Sequence, residues 1–181
     1  MLADDVPAAY ISCPTDEHDV ELFQFERGGS EGQQVCEALA MLVGLRLWSK
    51  ACKDGRATIE VKGDSISALT LVLYCRTKGQ ATSIIAREIA LDIAESIYRP
   101  DLATHIPGTM NVAADQLSRI TQPGHATHVP TILQAARRDA PPLRDASYYR
   151  ALGAPSAPQS QSGGRRDGHR RSRHFEPDHC Q

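Results

Sequence analysis

Three carboxylates stand in settings where they could do chemistry together. Glu37 lies within a helical apolar pattern, Asp64 ends a strand-like run, and Asp115 lies near the start of a short helix. Carboxylate oxygens are the ligands that Mg²⁺ prefers in proteins. One acid in a helix, one at a strand end and one at a helix start could converge on such an ion, so the pattern indicates a candidate metal site.

The segment over residues 104–119 provides the setting of the third acid. Pro107 and Gly108 are a strong turn signal, and Asn111 is a favourable residue for a helix N-cap. The helix that follows is predicted to reach Arg119. Asp115 then lies in its first turns, where a carboxylate is favoured and can point back at the turn.

Apolar spacing predicts the elements that must position these residues. Helices are predicted over residues 30–48, with a Ser30 and Gln33 capping box, and over 65–76, 82–98 and 111–119. Strands are predicted over 7–13, 58–62 and 103–106, and residues 21–25 form either a short strand or a loop. This order predicts an α/β fold in which the strands at 58–62 and 103–106 pair in parallel.

Composition narrows the class of protein. The chain has 181 residues, 41% hydrophobic and 23% charged, which is ordinary for a globular domain with a tail. Its net charge of −2 gives no global basic field, so any binding of nucleic acid has to be local. No run of apolar residues approaches the length needed to cross a bilayer, and the N-terminus lacks the features of a signal peptide. We therefore expect an intracellular protein, cytoplasmic or nuclear, with no membrane partner. Five cysteines without a CxxC pair fit reduced thiols better than disulfides or zinc.

The character of the chain changes after Arg119. Residues 121–150 are predicted to be a linker with a possible short helix near 131–138, and 151–181 a disordered basic tail rich in Pro, Ser, Gly and Arg. The ordered part is divided into a first strand and loop over 1–31 and a core over 32–120.

Four segments together resemble a known family. They read GQQVCEALAMLVGLRLW, VKGDSISAL, REIALDIAE and HIPGTMNVAADQLSR, in that order. Their order is similar to the ribonuclease H-like domain that follows reverse transcriptase in retroelement polyproteins, and the likeness covers about residues 7–119. It implies a ribonuclease H-like mixed sheet with flanking helices. In that family four carboxylates, in the order Asp, Glu, Asp, Asp, hold two metal ions, and Glu37, Asp64 and Asp115 match the last three.

The sequence departs from the family at its start. The first family Asp lies on an opening strand, and the chain begins only a few residues before a segment that resembles the third strand. We therefore expect an N-terminally truncated domain that lacks the first two strands, with Asp4 and Asp5 poor substitutes for the missing acid. Because the remaining ligands cannot fix two ions at the required separation, hydrolysis should be impaired.

The resemblance also implies further site residues. His105 matches a family histidine that assists proton transfer or product release, a role that imidazole chemistry permits, and a structural histidine at a strand end is the alternative. Ser65, Asn111 and Arg119 are candidate nucleic-acid contacts. Their simpler roles are a helix cap for Ser65, an N-cap for Asn111 and a solvated helix-end charge for Arg119.

Three functions follow as hypotheses. The first is hydrolysis of the RNA strand of an RNA–DNA hybrid, dependent on Mg²⁺ or Mn²⁺, beside the reverse transcriptase domain of a parent polyprotein. The second is a remnant of a retroelement that binds nucleic acid without turnover. The third is a fragment that works only when another chain supplies the missing strands.

Overall fold

A computed structural model of the chain describes residues 2–3, 6–49, 58–95, 97–120, 124, 128–145 and 147–150. The fold of this part is mixed α/β, as predicted. Its helices are α1 Glu17–Phe23, α2 Ser30–Ser49, α3 Ile66–Tyr74, α4 Gln80–Ala94 and α5 Val112–Arg119. Its strands are β1 Leu2–Ala3, β2 Val6–Pro7, β3 Ala9–Tyr10, β4 Thr58–Gly63, β5 Arg99–His105 and β6 Arg137–Arg138. Asp4, Asp5 and the predicted tail lie outside the described residues.

The strands form three small pairs within the described residues. β4 and β5 pair in parallel from Thr58↔Arg99 to Gly63↔His105, which confirms the predicted pairing. β1 pairs with β2 in antiparallel fashion, and β3 pairs with β6 in parallel. The predicted strand over 7–13 is therefore confined to two short pieces, β2 and β3. Ile59 and Val61 of β4 face the helical core, and Glu60 and Lys62 face the opposite side of the sheet.

Helix α2 is the centre of the hydrophobic core. Its predicted apolar face is confirmed, since Val35, Leu39 and Leu42 recur at helical spacing and are buried. α3 and α4 pack against α2, and α3 also packs against β5. Gln33 donates its side-chain amide to Glu37. The β4–β5 pair is thus joined to the helical core through α3.

One predicted element type and one predicted helix end are wrong, each for an identifiable reason. Residues 21–25 do not form a strand, because α1 occupies most of them. Asp16 caps that helix by accepting from the Asp19 amide at 2.8 Å, and the Asp19 carboxylate accepts from the Asp16 amide at 3.1 Å. α4 ends at Ala94 rather than near residue 98, since Tyr98 is buried in the core and β5 begins at Arg99.

The segment over 128–150 differs from the linker that its composition predicts. Its β6 pairs with β3, and Leu133 and Tyr149 are buried. The Tyr149 ring meets Phe23 edge-on, with 5.5 Å between ring centroids. The short helical prediction near 131–138 is met only by a 3₁₀ turn, Thr131–Leu133. This C-terminal segment is therefore packed into the same core as α1 and α2.

Buried ion pairs join the C-terminal segment to the helices. Arg144 donates to both carboxylate oxygens of the fully buried Asp19, at 3.0 and 2.6 Å. Arg46 of α2 donates to the buried Glu88 at 2.5 Å and Asp92 at 2.7 Å. It also donates to the Tyr148 carbonyl at 2.7 Å. Arg150 adds ion pairs to Asp92 and to the exposed Glu95. No helix among the described residues is long and apolar enough to span a membrane.

The pair between Arg144 and Asp19 should be a large part of the stability of the fold. Arg144→Ala would leave the Asp19 carboxylate buried without a cation, which costs about 3–5 kcal/mol of unfolding free energy. The matched control is Arg27→Ala, because Arg27 pairs with Glu17 on the surface, and such pairs contribute about 0–1 kcal/mol. Urea unfolding followed by circular dichroism measures both. Equal losses in the two variants would contradict this role of Arg144.

The same pair should make stability depend on pH. Burial alone would raise the pKa of the Asp19 carboxyl, but hydrogen bonds from Arg144 and the Asp16 amide outweigh it and hold that pKa below 3.8. The stability due to Asp19 is therefore present above the unfolded pKa and lost as pH falls through the folded pKa. In Arg144→Ala the guanidinium is gone and the Asp16 amide is the main group that still opposes burial, so the pKa of the Asp19 carboxyl should rise, and protonation of Asp19 at low pH should remove part of the variant's loss of unfolding free energy. We expect the difference in unfolding free energy between the two proteins to be smaller at about pH 4 than at about pH 7. A constant difference across this range would be inconsistent with a charged Asp19.

Candidate functional site

The carboxyl ends of β4 and β5 form one edge of the parallel pair. Gly63 pairs with His105, and the Ile106 amide donates to the Gly63 carbonyl at 2.9 Å, so the two chains leave the sheet side by side. Asp64 follows β4 directly and is exposed. Ligand sites of α/β folds lie at such carboxyl ends. Asp64 and His105, two of the predicted site residues, therefore lie at one edge.

The turn after β5 folds back over Asp64. Asn111 donates its side-chain amide to Asp64 Oδ1 at 3.0 Å. A Cβ at Gly108 would lie 3.5 Å from Asp64 Oδ2, so the turn approaches the carboxylate from a second direction. Asn111 is the N-cap residue of α5, as predicted, but its side chain makes no capping hydrogen bond and reaches Asp64 instead.

Asp115 lies in the first turn of α5, as predicted. Its amide donates to the Asn111 carbonyl at 3.0 Å, which links it by one helical turn to the residue that contacts Asp64. Its carboxylate pairs with Arg119 at 2.9 Å, and both side chains are about half exposed. Arg119, a candidate nucleic-acid contact, is therefore paired with Asp115 on the helix surface.

Glu37 lies on α2 and is half-buried. Its Oε1 accepts from the Gln33 side chain at 3.2 Å. Met41, one turn later on the helix, approaches the end of β4: a Cβ at Gly63 would lie 3.0 Å from the Met41 methyl. α2 therefore passes the residue before Asp64, and Glu37 lies one helical turn towards the N-terminus of α2 from that contact.

The three acids match a magnesium site in residue type. Within the described part of the chain, however, no group of three or more His, Cys, Asp and Glu side chains is placed so that it could hold a metal ion. Asp64 is joined to an amide, Asp115 to Arg119 and Glu37 to Gln33. The metal site formed by Glu37, Asp64 and Asp115 stays a prediction.

Ser65 and His105 flank the same edge. Ser65 Oγ accepts from the Ala68 amide at 3.3 Å, so Ser65 is the N-cap of α3, and it lies 3.0 Å from Ser67 Oγ. This cap accounts for the serine and fixes the turn directly after Asp64. His105 is exposed at the last position of β5. A proton-transfer role for His105 stays a prediction.

Two contacts of this region have only weak signals in the sequence. Thr104 donates to Glu60 Oε1 at 2.8 Å across the exposed face of the β4–β5 pair. Alternating polar residues in both predicted strands are the signal that could have indicated it. Ser12 Oγ lies 3.5 Å from the Leu117 carbonyl, which brings α5 near the segment after β3. Nothing in the local sequence indicates that second contact.

Comparison with protein-family models, with curated proteins and with solved structures gives no match for this chain.

The cap of α3 leads to a test of why Ser65 follows Asp64. Ser65→Ala should lower the unfolding free energy by about 0.5–2 kcal/mol, because it leaves an amide of the first turn without an acceptor. Ser65→Asn keeps a capping side chain and should cost less. Ser67→Ala is the control, since the exposed Ser67 does not cap the helix, and it should stay within about 0.5 kcal/mol. Thermal unfolding measures all three, and equal effects of the two alanine variants would contradict a capping role.

Proposed function

We propose that this chain is a ribonuclease H-like domain of retroelement origin that acts on RNA–DNA hybrids. One observation supports it above the others. The HIPGTMNVAADQLSR block, which carries most of the resemblance, folds back so that its Asn111 contacts Asp64 of the separate VKGDSISAL segment. Two segments that are distant in sequence meet at the carboxyl edge of a parallel strand pair, where a ligand site is expected.

The proposed reaction is hydrolysis of the RNA strand, dependent on Mg²⁺ or Mn²⁺, with the reverse transcriptase domain of a parent polyprotein as a partner. The metal dependence and the partner follow from the resemblance. Asp64 is exposed and adjoins the turn that leads to Asp115, so it is the acid we expect hydrolysis to depend on most. Because no group of three ligands is gathered in the described residues, we expect slow hydrolysis and assign no step of it to a metal.

A second candidate function is binding of the hybrid without turnover. It is favoured by the engagement of each predicted metal ligand with a donor from the chain itself: Asn111 for Asp64, Arg119 for Asp115 and Gln33 for Glu37. A protein of this kind would retain affinity for nucleic acid, and removal of the Asp64 charge would not weaken it. The two candidates therefore differ in what the same substitution does.

The deciding experiment is an assay with an RNA–DNA hybrid labelled at the end of its RNA strand, in Mg²⁺ or Mn²⁺. We expect slow cleavage of the RNA strand by the full chain. Asp64→Asn should reduce the rate by about 100-fold or more, because substitutions that only disturb the orientation of metal ligands already cost about 10- to 100-fold. Asp64→Asn retains an oxygen that can accept from Asn111, so the fold should persist, as circular dichroism can check.

The matched control is Glu60→Gln. Glu60 is an exposed acid of β4, contacted by Thr104, and lies on the strand that ends next to Asp64. Its neutralisation should leave the cleavage rate within about twofold of the unsubstituted chain, since a surface change away from the site is nearly neutral. An equal fall in the cleavage rate of Asp64→Asn and Glu60→Gln would indicate a general effect of charge and contradict a specific role of Asp64. Hybrid binding without cleavage would favour the second candidate, and a folded chain with neither binding nor cleavage would overturn both.

A further inference from the structure

Helix α5 carries Asp115, yet none of its residues is buried. A helix of eight residues is not stable by itself in water, and helices in proteins are normally held by a buried apolar face. Val112 is about half exposed, and Leu117 is only partly buried. The position of α5 must therefore depend on other contacts.

Two side-chain hydrogen bonds join the α5 region to the rest of the described structure. The one from Ser12 to the Leu117 carbonyl is 3.5 Å long, at the outer limit for such a bond. The one from Asn111 to Asp64 is 3.0 Å, and its acceptor is a carboxylate, which makes it the stronger of the two. The Asp64 contact is thus the main polar tether of this helix.

The local backbone explains why the Asn111 amide is free to reach Asp64. A 3₁₀ turn, Gly108–Met110, runs directly into α5. In it the backbone amide of Met110 donates to the Pro107 carbonyl at 2.7 Å, and the backbone amide of Asn111 donates to the Gly108 carbonyl at 3.1 Å. Asn111 has φ −87° and ψ 32°, which is not the extended conformation of a residue that caps with its side chain. The side chain is therefore turned away from the amides of α5.

We propose that Asn111 is a positioning residue: its amide fixes the orientation of the Asp64 carboxylate and holds the Asp115 helix at the carboxyl edge of β4. The tether itself stands on the geometry alone. Its effect on RNA cleavage depends on the proposed function. Loss of the Asn111 amide should both release α5 and leave Asp64 free to rotate, without altering α2, α3 or α4.

Hydrogen exchange of the backbone amides tests the tether without any need for activity. In Asn111→Ala and in Asp64→Ala, the amides of α5 should exchange about tenfold faster, because each variant removes a hydrogen bond to a charged group. The double variant should exchange no faster than either single variant, since both changes remove the same interaction. Asp64→Asn, which keeps an acceptor oxygen, should change the rate by less than about threefold.

Two controls separate the tether from general damage. Amides of α3 should exchange at the same rate in all variants, which shows that the core stays folded. Gln116→Ala, a change at an exposed position of α5, should not speed exchange of this helix. Unchanged exchange of α5 in Asn111→Ala, or additive effects in the double variant, would overturn the proposal.

Kinetics with the hybrid test the second part. Asn111→Ala should lower kcat for RNA cleavage by about tenfold and leave KM nearly unchanged, because the amide orients Asp64 and does not itself bind the hybrid. A raised KM with unchanged kcat would make Asn111 a substrate contact and contradict a positioning role. If the unsubstituted chain does not cleave, the proposed hydrolysis fails, and the exchange experiment still decides the tether.

Discussion

Three carboxylates buried in the helical core constrain the rest of this structure. Asp19 of α1 and Glu88 and Asp92 of α4 are fully buried, and a buried charge is tolerated only when it is paired. Their cations come from elsewhere in the chain: Arg46 from α2, and Arg144 and Arg150 from the C-terminal segment. The fold therefore requires Arg144 and Arg150 to lie against the helices, because Arg144 is the cation that Asp19 contacts and Arg150 is one of those that Asp92 contacts.

This arrangement also determines where the site is built. Arg46 ties α2 to α4, and the Tyr148 ring packs on its guanidinium, 4.8 Å from the ring centroid. α2 held in this way places Met41 against Gly63, and α3 packs against β5. The carboxyl edge of β4 and β5 is thus supported on its buried side by helices whose mutual position depends on the ion pairs. The opposite face of the sheet, with Glu60 and Lys62, stays exposed.

The sequence predicts those parts of the fold whose signal is local. α2, α3, β4, β5 and α5 each carry regular apolar spacing or a turn signal, and they occur where expected, within a few residues at their ends. α1 was missed because its signal is a capping box of two acids, Asp16 and Asp19, before a segment that also alternates like a strand. The packing of the C-terminal segment depends on Arg144 meeting Asp19, 125 residues away in sequence, and composition carries no trace of such a pair.

The sequence names candidate site residues but does not predict which of them touch. Residue types and order single out Asp64, Asn111 and Asp115, but the capping preference of Asn favoured the local partner for Asn111. Tertiary geometry overrides it here, because the 3₁₀ turn before α5 carries that side chain towards β4. Whether Glu37 joins Asp64 depends on the angle between a helix and a strand, which no local pattern encodes.

The two sets of carboxylates in this chain differ in what could displace their partners. Asp19 is held by two hydrogen bonds from a guanidinium in a buried site, so an entering cation would have to break a bidentate pair and cross the core. Asp64 is exposed and accepts one hydrogen bond from the neutral side-chain amide of Asn111, which competes with water for the carboxylate. An outside cation or hydrogen-bond donor therefore meets less resistance at Asp64 than at the buried Asp19. The edge of β4 is thus one place in the described structure where an outside ligand can reach a carboxylate, whereas the core acids are held by buried ion pairs.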